Sequence, residues 1–259
     1  MKRFLAALLL AGVGATAVSA ETVKGLCMVS ASFKPENAEV MFRSSDCGVP
    51  ELHSCNSSDN SNIPWTRWTG VSPEALSHEN ALLDARMIGE AGTASCSGTV
   101  HDGVLAGRYQ FTPNEAFVQK MGTMGFDNIT PSKQQGFLML DVTTAWVQQI
   151  KDLGVTDLST NKLMGLRALH VDAAYIHDMS NAGYPELRAN KLTEMKAVGV
   201  TPEKAREAKA MGFNPTEQEL IQMSIFKVDR PFVERMRAKG LKDLTLASLI
   251  KVKIFKLDE

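Results

Sequence analysis

The sequence predicts an α+β protein in which an N-terminal antiparallel β module leads into a C-terminal α-helical repeat array of five helix-turn-helix units. Three observations predict it. Apolar and polar residues alternate over short runs up to Phe111, five glycines then recur at a fixed step, and the apolar residues around those glycines fall at helical spacing. The expected division is a signal peptide over residues 1–20, a disulfide-containing β module over 21–112 and a helical-repeat domain over 113–259.

In the first half, Leu83, Ala85 and Met87 alternate with Asp84 and Arg86, and Glu90, Ala91 and Gly92 turn the chain into a second run. His101, Asp102 and Gly103 then turn it into a third, so three strands with tight connections read as an antiparallel meander. Residues 23–32 and 38–43 are expected to add strands to the same sheet. The Ser, Asn and Asp content of residues 56–62 marks an exposed loop. Ser72, placed before Pro73 and Glu74, is suited to start a turn of helix.

The second half is a repeat. Gly125, Gly154, Gly183, Gly212 and Gly240 are separated by 29, 29, 29 and 28 residues. Eight residues before each glycine stand Phe117, Trp146, Tyr175, Lys204 and Phe232; four before stand Met121, Ile150, Met179, Ala208 and Met236. These offsets place them on one helical stripe, and the glycine sits where a helix needs a left-handed residue to stop. An apolar residue follows each stop, as a Schellman arrangement requires. A second helix completes each unit, with stripes such as Leu163, Leu166, Leu169 and Val171. Thr143, Asp172, Thr201 and Asp229 are placed to cap the first helices, and Ser159, Thr216 and Thr245 the second ones. Two positions depart from the pattern: Gln134, where the other units have Leu, and Lys204, where the others have an aromatic. Each is expected to be a weak point, or a place where a long stem covers the core while its head reaches water.

Lys2 and Arg3 precede an apolar stretch from Phe4 to Val13, and the small-residue run Val18, Ser19 and Ala20 comes just before Glu21, the pattern of a secretory signal cleaved after Ala20. The apolar run is shorter than the roughly 20 residues a bilayer span needs, so no transmembrane span is expected after cleavage. Removing the leader takes the formal charge from −1 to −3, too weak a field to imply a nucleic-acid partner. Cys27, Cys47, Cys55 and Cys96 all belong to the first half, and an even count in an exported chain favours two disulfides. Three pairings are possible. Cys47 and Cys55 flank a short loop they can close, which would leave Cys27 with Cys96, but the sequence leaves the choice open.

The run Gly199-Val200-Thr201-Pro202-Glu203, a helix, then Met211-Gly212-Phe213 and a second helix, resembles tandem repeats of bacterial exported proteins of unassigned function. Similar repeats follow the peptidase domain in some membrane metallopeptidases of the β-lactam-sensor type. Glu90-Ala91-Gly92-Thr93, Cys96-x-Gly98 and Gly107-x-Tyr109-x-Phe111 are similar to the β segment that precedes such repeats. The resemblance covers about two-thirds of the chain. It implies a bacterial envelope protein, periplasmic or secreted, and carries no catalytic residue across, because the zinc-peptidase signature of that class is missing.

Searches for chemistry return little. His78 and Glu79 begin a His-Glu-x-x-His pattern, but position 82 is Leu, so no imidazole pair shares one helical face. His170 and His177 are separated by the cap at Asp172. Residues 59–63 suggest a calcium loop that fails at Ile63 and Pro64. No nucleophile elbow, phosphate loop or dinucleotide fingerprint occurs. No catalytic residue, metal site or cofactor is therefore expected. The leading expectation is a non-enzymatic exported envelope protein whose repeats bind an unidentified envelope protein; the alternative is a sensory or regulatory ectodomain that reads a small envelope ligand. Residues 230–259 carry eight basic against four acidic groups, and the last helix adds Ile250 and Ile254 to its stripe. That end is expected to pack on the N-terminal sheet or on a second copy, giving a homodimer through the C-terminal repeat.

Overall fold

A computed structural model describes residues 22–44, 57–241 and 244–257. The signal segment, Cys47 and Cys55 lie outside the described residues. Seven strands form one antiparallel sheet: β1 (Val23–Ala31), β2 (Asn37–Ser44), β3 (Ser57–Pro64), β4 (Trp68–Thr69), β5 (Leu82–Gly89), β6 (Gly92–His101) and β7 (Val104–Pro113), in the spatial order 3-2-1-7-6-5-4. The meander is β5, β6 and β7, and the turn between the last two uses Asp102 (φ 50°) and Gly103 (φ 76°).

The topology forces the sheet to curl. β3 and β4 are its two edges, yet only Trp65–Arg67, a short 3-10 turn, joins them. Six strand spacings of about 4.8 Å would set flat edges about 29 Å apart, whereas four residue steps reach about 14 Å at most. The edges therefore swing toward each other and the alternating apolar side chains converge inside. Phe42 of β2 stacks on Tyr109 of β7 at 4.2 Å and lies 6.4 Å from Trp68 of β4. Cys27 of β1 bonds Cys96 of β6 across the intervening β7, with Cα atoms 5.8 Å apart. Strands two apart in a flat sheet are about 9.6 Å apart, so this bond needs the same curl. Gly98 and Gly107 face each other in register beside it, and a Cβ on either would meet the opposite backbone at 2.6 Å or less.

Residues 57–62 belong to β3, which corrects the loop expected there. They pair by backbone with β2, and Ile63 is buried opposite Ala38. An edge strand of polar residues lacks the apolar alternation by which strands are recognised. Ser72 does cap a single 3-10 turn, Ala75–Ser77, through its hydroxyl.

Among the described residues ten helices follow: α1 (Glu115–Thr123), α2 (Pro131–Met139), α3 (Thr144–Asp152), α4 (Thr160–Ala168), α5 (Ala173–Asn181), α6 (Ala189–Ala197), α7 (Pro202–Ala210), α8 (Glu217–Phe226), α9 (Arg230–Ala238) and α10 (Leu246–Ile254). Odd-numbered helices pack on odd ones and even on even: α1 on α3 and α5 on α7, with α4, α6, α8 and α10 in succession. The array is thus a two-layered solenoid in which each hairpin covers the stripe of its neighbour. Gly125, Gly154, Gly183, Gly212 and Gly240 end the odd helices at φ between 78° and 97°. The side chains of Thr143, Asp172, Thr201, Asp229, Ser159, Thr216 and Thr245 each accept a backbone N–H at a helix start.

The even helices carry a second series of left-handed stops, at Asp141, His170, Gly199, Lys227 and Lys256 (φ 52–72°). Four of the five are not glycine, so this series is invisible to a search for glycine. α6 starts at Arg188 without a side-chain cap. Asp157 of the preceding hairpin supplies one instead, accepting the Ala189 N–H at 2.9 Å.

Candidate functional site

The sheet closes the first end of the array. α2 packs on β6 and β7, and one apolar cluster runs from Cys27 through Phe117, Phe137 and Leu138 to Ile250. Several polar contacts lock the junction. Arg67, between the edges of the curled sheet, donates to the carbonyls of Leu138 (2.7 Å) and Met139 (2.9 Å) at the end of α2. Arg167 reaches the same end from the next hairpin, donating to Leu140 at 3.0 Å, and both guanidinium groups pair with Asp141. Burial lowers the pKa of Arg67, with Asp141 opposing and Arg167 reinforcing the shift. Glu90 accepts the N–H and the hydroxyl of Thr144, while the buried Gln134 accepts the N–H of Asn114 at 3.1 Å. Gln134 therefore departs from the leucine stripe because it fastens α2 to the link between β7 and α1. Arg67 carries no pattern that singles it out in sequence, and Glu90 stands out there only as part of a turn.

Between hairpins, basic side chains recur in the register of the repeat, except in the third hairpin, which has Ser180 there. Lys151, Lys209 and Arg237 donate to the carbonyls of Met124, Ala182 and Met211, each at the C-terminal end of a helix in the preceding hairpin. Cations there also complement the helix dipole. In the even layer, Arg167 lies over the ring of Trp146 (5.4 Å), Lys196 over Tyr175 (4.3 Å) and Lys253 over Phe232 (4.2 Å). The first hairpin carries Leu138 at the cation's position, and the fourth lacks ring and cation alike. Lys204 takes the place of the ring and Ser224 that of the cation, and the ammonium bonds the Gly199 carbonyl at 2.7 Å and the Ser224 hydroxyl at 3.4 Å. Lys204 is exposed, and a cavity of about 200 Å³ opens beside it.

The far end of the array has no cover among the described residues. α10 packs on α8 rather than on the sheet, which sits against α2 at the opposite end. That corrects the expectation that the last helix packs on the N-terminal sheet. Phe255 and Leu257 are 67% and 68% exposed, whereas their counterparts one repeat earlier, Phe226 and Val228, are half-buried and buried. Basic residues near this end have assigned contacts: Arg230 pairs with Glu207, and Arg235 lies near the Phe232 ring.

The sequence-level candidates for chemistry separate. His78 is exposed; Glu79 accepts from His101 and from the Asp102 amide, which hold its carboxyl below the usual range. His170 is a helix stop, and His177 pairs with Asp178 on the exposed side of α5. Among the described residues, no three His, Cys, Asp or Glu side chains group to hold a metal, and no helix is long and apolar enough to cross a membrane. The fold thus defines a disulfide-bonded α+β chain ending in a two-layered helical-repeat array. Comparison with protein-family models, with curated proteins and with solved structures found no match.

Proposed function

We propose that this chain is an exported, non-enzymatic binding protein whose repeat array docks a partner protein at its C-terminal end. The observation that carries the reading is the exposure of Phe255 and Leu257, at positions that the next hairpin covers in the preceding repeat. Apolar side chains exposed on the packing face of a repeat mark a place where further structure docks, and the face is shaped for an apolar helical hairpin. The excess of basic over acidic residues from 230 to 259 opposes a second copy there, because like charges would meet. The partner is accordingly a different, acidic protein. Export, to a periplasmic or extracellular compartment, is supported by the buried Cys27–Cys96 disulfide.

The test is photo-cross-linking in the native envelope from a probe at position 255 of the full chain, with position 234 on the outer face as control. One partner is expected from 255 and none from 234, with loss in Phe255→Ser/Leu257→Ser carrying the probe at 241. Equal yields at 255 and 234, or cross-links only to a second copy, would overturn the reading.

A second reading, a sensory ectodomain, draws on a cleft of about 370 Å³ at the sheet–helix junction, walled by Pro64, Met139 and Leu140 with Arg67, Asp141 and Arg167 beside them. These charged groups already satisfy one another, so the cleft ranks second. A small anion that raises Tm in the wild type but not in Arg167→Ala would favour it.

A further inference from the structure

We infer that the cavity beside Lys204 is a receptor for an aromatic ring, presented by a side chain of the partner polypeptide. The inference rests on the protein-binding reading above and adds a second, separate contact site.

The repeat itself shows what the cavity is shaped to hold. Its walls are Val200, Met211, Leu220, Met223 and Val228, with Lys204 and Ser224 at the mouth. Moved back one repeat, Val200 becomes Val171, Leu220 becomes Leu192, Met223 becomes Met195 and Val228 becomes Val200. Those four residues are buried, as is the ring of Tyr175, whose hydroxyl donates to the Val200 carbonyl at 3.0 Å. The hairpins on either side fill the same place with Tyr175 and Phe232. Here the chain supplies a lysine whose ammonium turns back to Gly199, and the space of the ring stays open. About 150 Å³ of apolar cavity suffices for a benzene ring, and the volume here is about 200 Å³.

The exchange of partners across the mouth points the same way. In three hairpins a cation from the even helix lies over a ring from the odd helix. In this one the cation comes from the odd helix, at Lys204, and the even helix carries the small Ser224, which leaves room above the opening. A ring entering from outside meets an ammonium, as the rings of Tyr175 and Phe232 do within the chain. A phenol would also find the Val228 carbonyl where Tyr175 finds that of Val200. Lys227, Glu207 and Asp229 ring the opening with charges of both signs, a polar rim around an apolar floor of the kind that anchors a buried aromatic at a protein interface.

The experiment is an NMR titration of the full chain, observing the methyl groups of Met211 and Met223, with N-acetyltyrosinamide as probe, N-acetylleucinamide as its aliphatic counterpart and p-cresol as the free phenol. Saturable shifts with the tyrosine probe are expected, with affinity for the leucine probe lower by about tenfold or more, and with contacts from the ring protons to the Met223 methyl. Lys204→Tyr, which restores the ring, is expected to raise Tm and abolish the response. Absent shifts, an equal response to leucine, or an unchanged response in a folded Lys204→Tyr would overturn the inference. The ring-to-methyl contacts are read on the wild type and decide the matter should that variant not fold. Tighter binding of p-cresol than of N-acetyltyrosinamide would overturn a polypeptide as the source. Phe255→Ser/Leu257→Ser is expected to leave these shifts unchanged, so the two sites fail or stand separately.

Discussion

The carboxylate of Glu90, in the turn between β5 and β6, accepts both the backbone N–H and the hydroxyl of Thr144, each at 2.8 Å. Thr144 is buried and opens α3, so the sheet caps a helix of the second hairpin rather than only the first that follows it. One carboxylate thereby ties the sheet to the second hairpin. Glu90→Ala is expected to lower stability by about 2 kcal/mol, the range for a hydrogen bond to a charged group with a buried partner left behind, and Glu90→Gln by less. Chemical denaturation of the full chain measures both, and a Glu90→Ala midpoint equal to wild type would refute the role.

Not all stop glycines are equivalent. Gly154 and Gly183 both have positive φ, at 78° and 97°, but a Cβ at Gly154 would meet open space while one at Gly183 would meet the Lys209 ammonium. Gly154→Ala should cost about 1–2 kcal/mol for the left-handed backbone alone. Gly183→Ala should cost more, because Lys209 must also leave the Ala182 carbonyl. Adding Lys209→Ala should bring the two sites to a similar cost, and a double-mutant cycle tests this.

Acid should loosen the junction between the second and third hairpins. Desolvation pushes the Asp157 carboxyl up, but the Lys162 ammonium, the Ala189 N–H and the Arg188 charge outweigh it and leave the pKa lowered. With the folded value depressed, the stabilisation is complete above the unfolded value of about 3.9 and is lost as pH falls through the folded one. The Tm difference between wild type and Asp157→Asn should therefore be present at neutral pH and shrink in acid. A difference independent of pH would exclude the carboxylate charge as its cause.

Alkaline titration offers a further check. The chain has three tyrosines, and all are buried. Burial raises the pKa of each, Tyr175 and Tyr184 to about 12 and Tyr109 beyond that. Raised folded values mean that the neutral phenols stabilise the fold below the unfolded value of about 10 and that this stabilisation is lost as pH rises through the folded ones. Absorbance at the phenolate band should stay flat through pH values near 10 in the native protein and then rise together with unfolding. A separate step near pH 10 would mean that at least one ring is in water.

Much of the helical half is legible in order along the chain. The Gly125 series, the caps at Thr143, Asp172 and Asp229 and the stripe through Leu163 and Leu166 act within one or two helical turns, so local sequence carries them. The stops at Asp141, His170 and Lys227 are equally local but use residues that adopt the left-handed region at a cost, and composition does not mark them. The edge strand β3 was obscured for a different reason: its place in the sheet is a matter of backbone pairing, which polar side chains do not advertise.

What the sequence by itself determined is therefore the order of the units, their period and the side on which each helix is apolar, because these depend on contacts a few residues apart. Only the tertiary structure decided that the sheet curls until Cys27 reaches Cys96, that Arg67 and Glu90 fasten it to α2 and α3, and that the missing ring at Lys204 leaves an open cavity. Each of those joins groups that lie from 20 to 71 residues apart. Such pairings are set by how finished elements stack, and single positions in the chain hold no record of their partners.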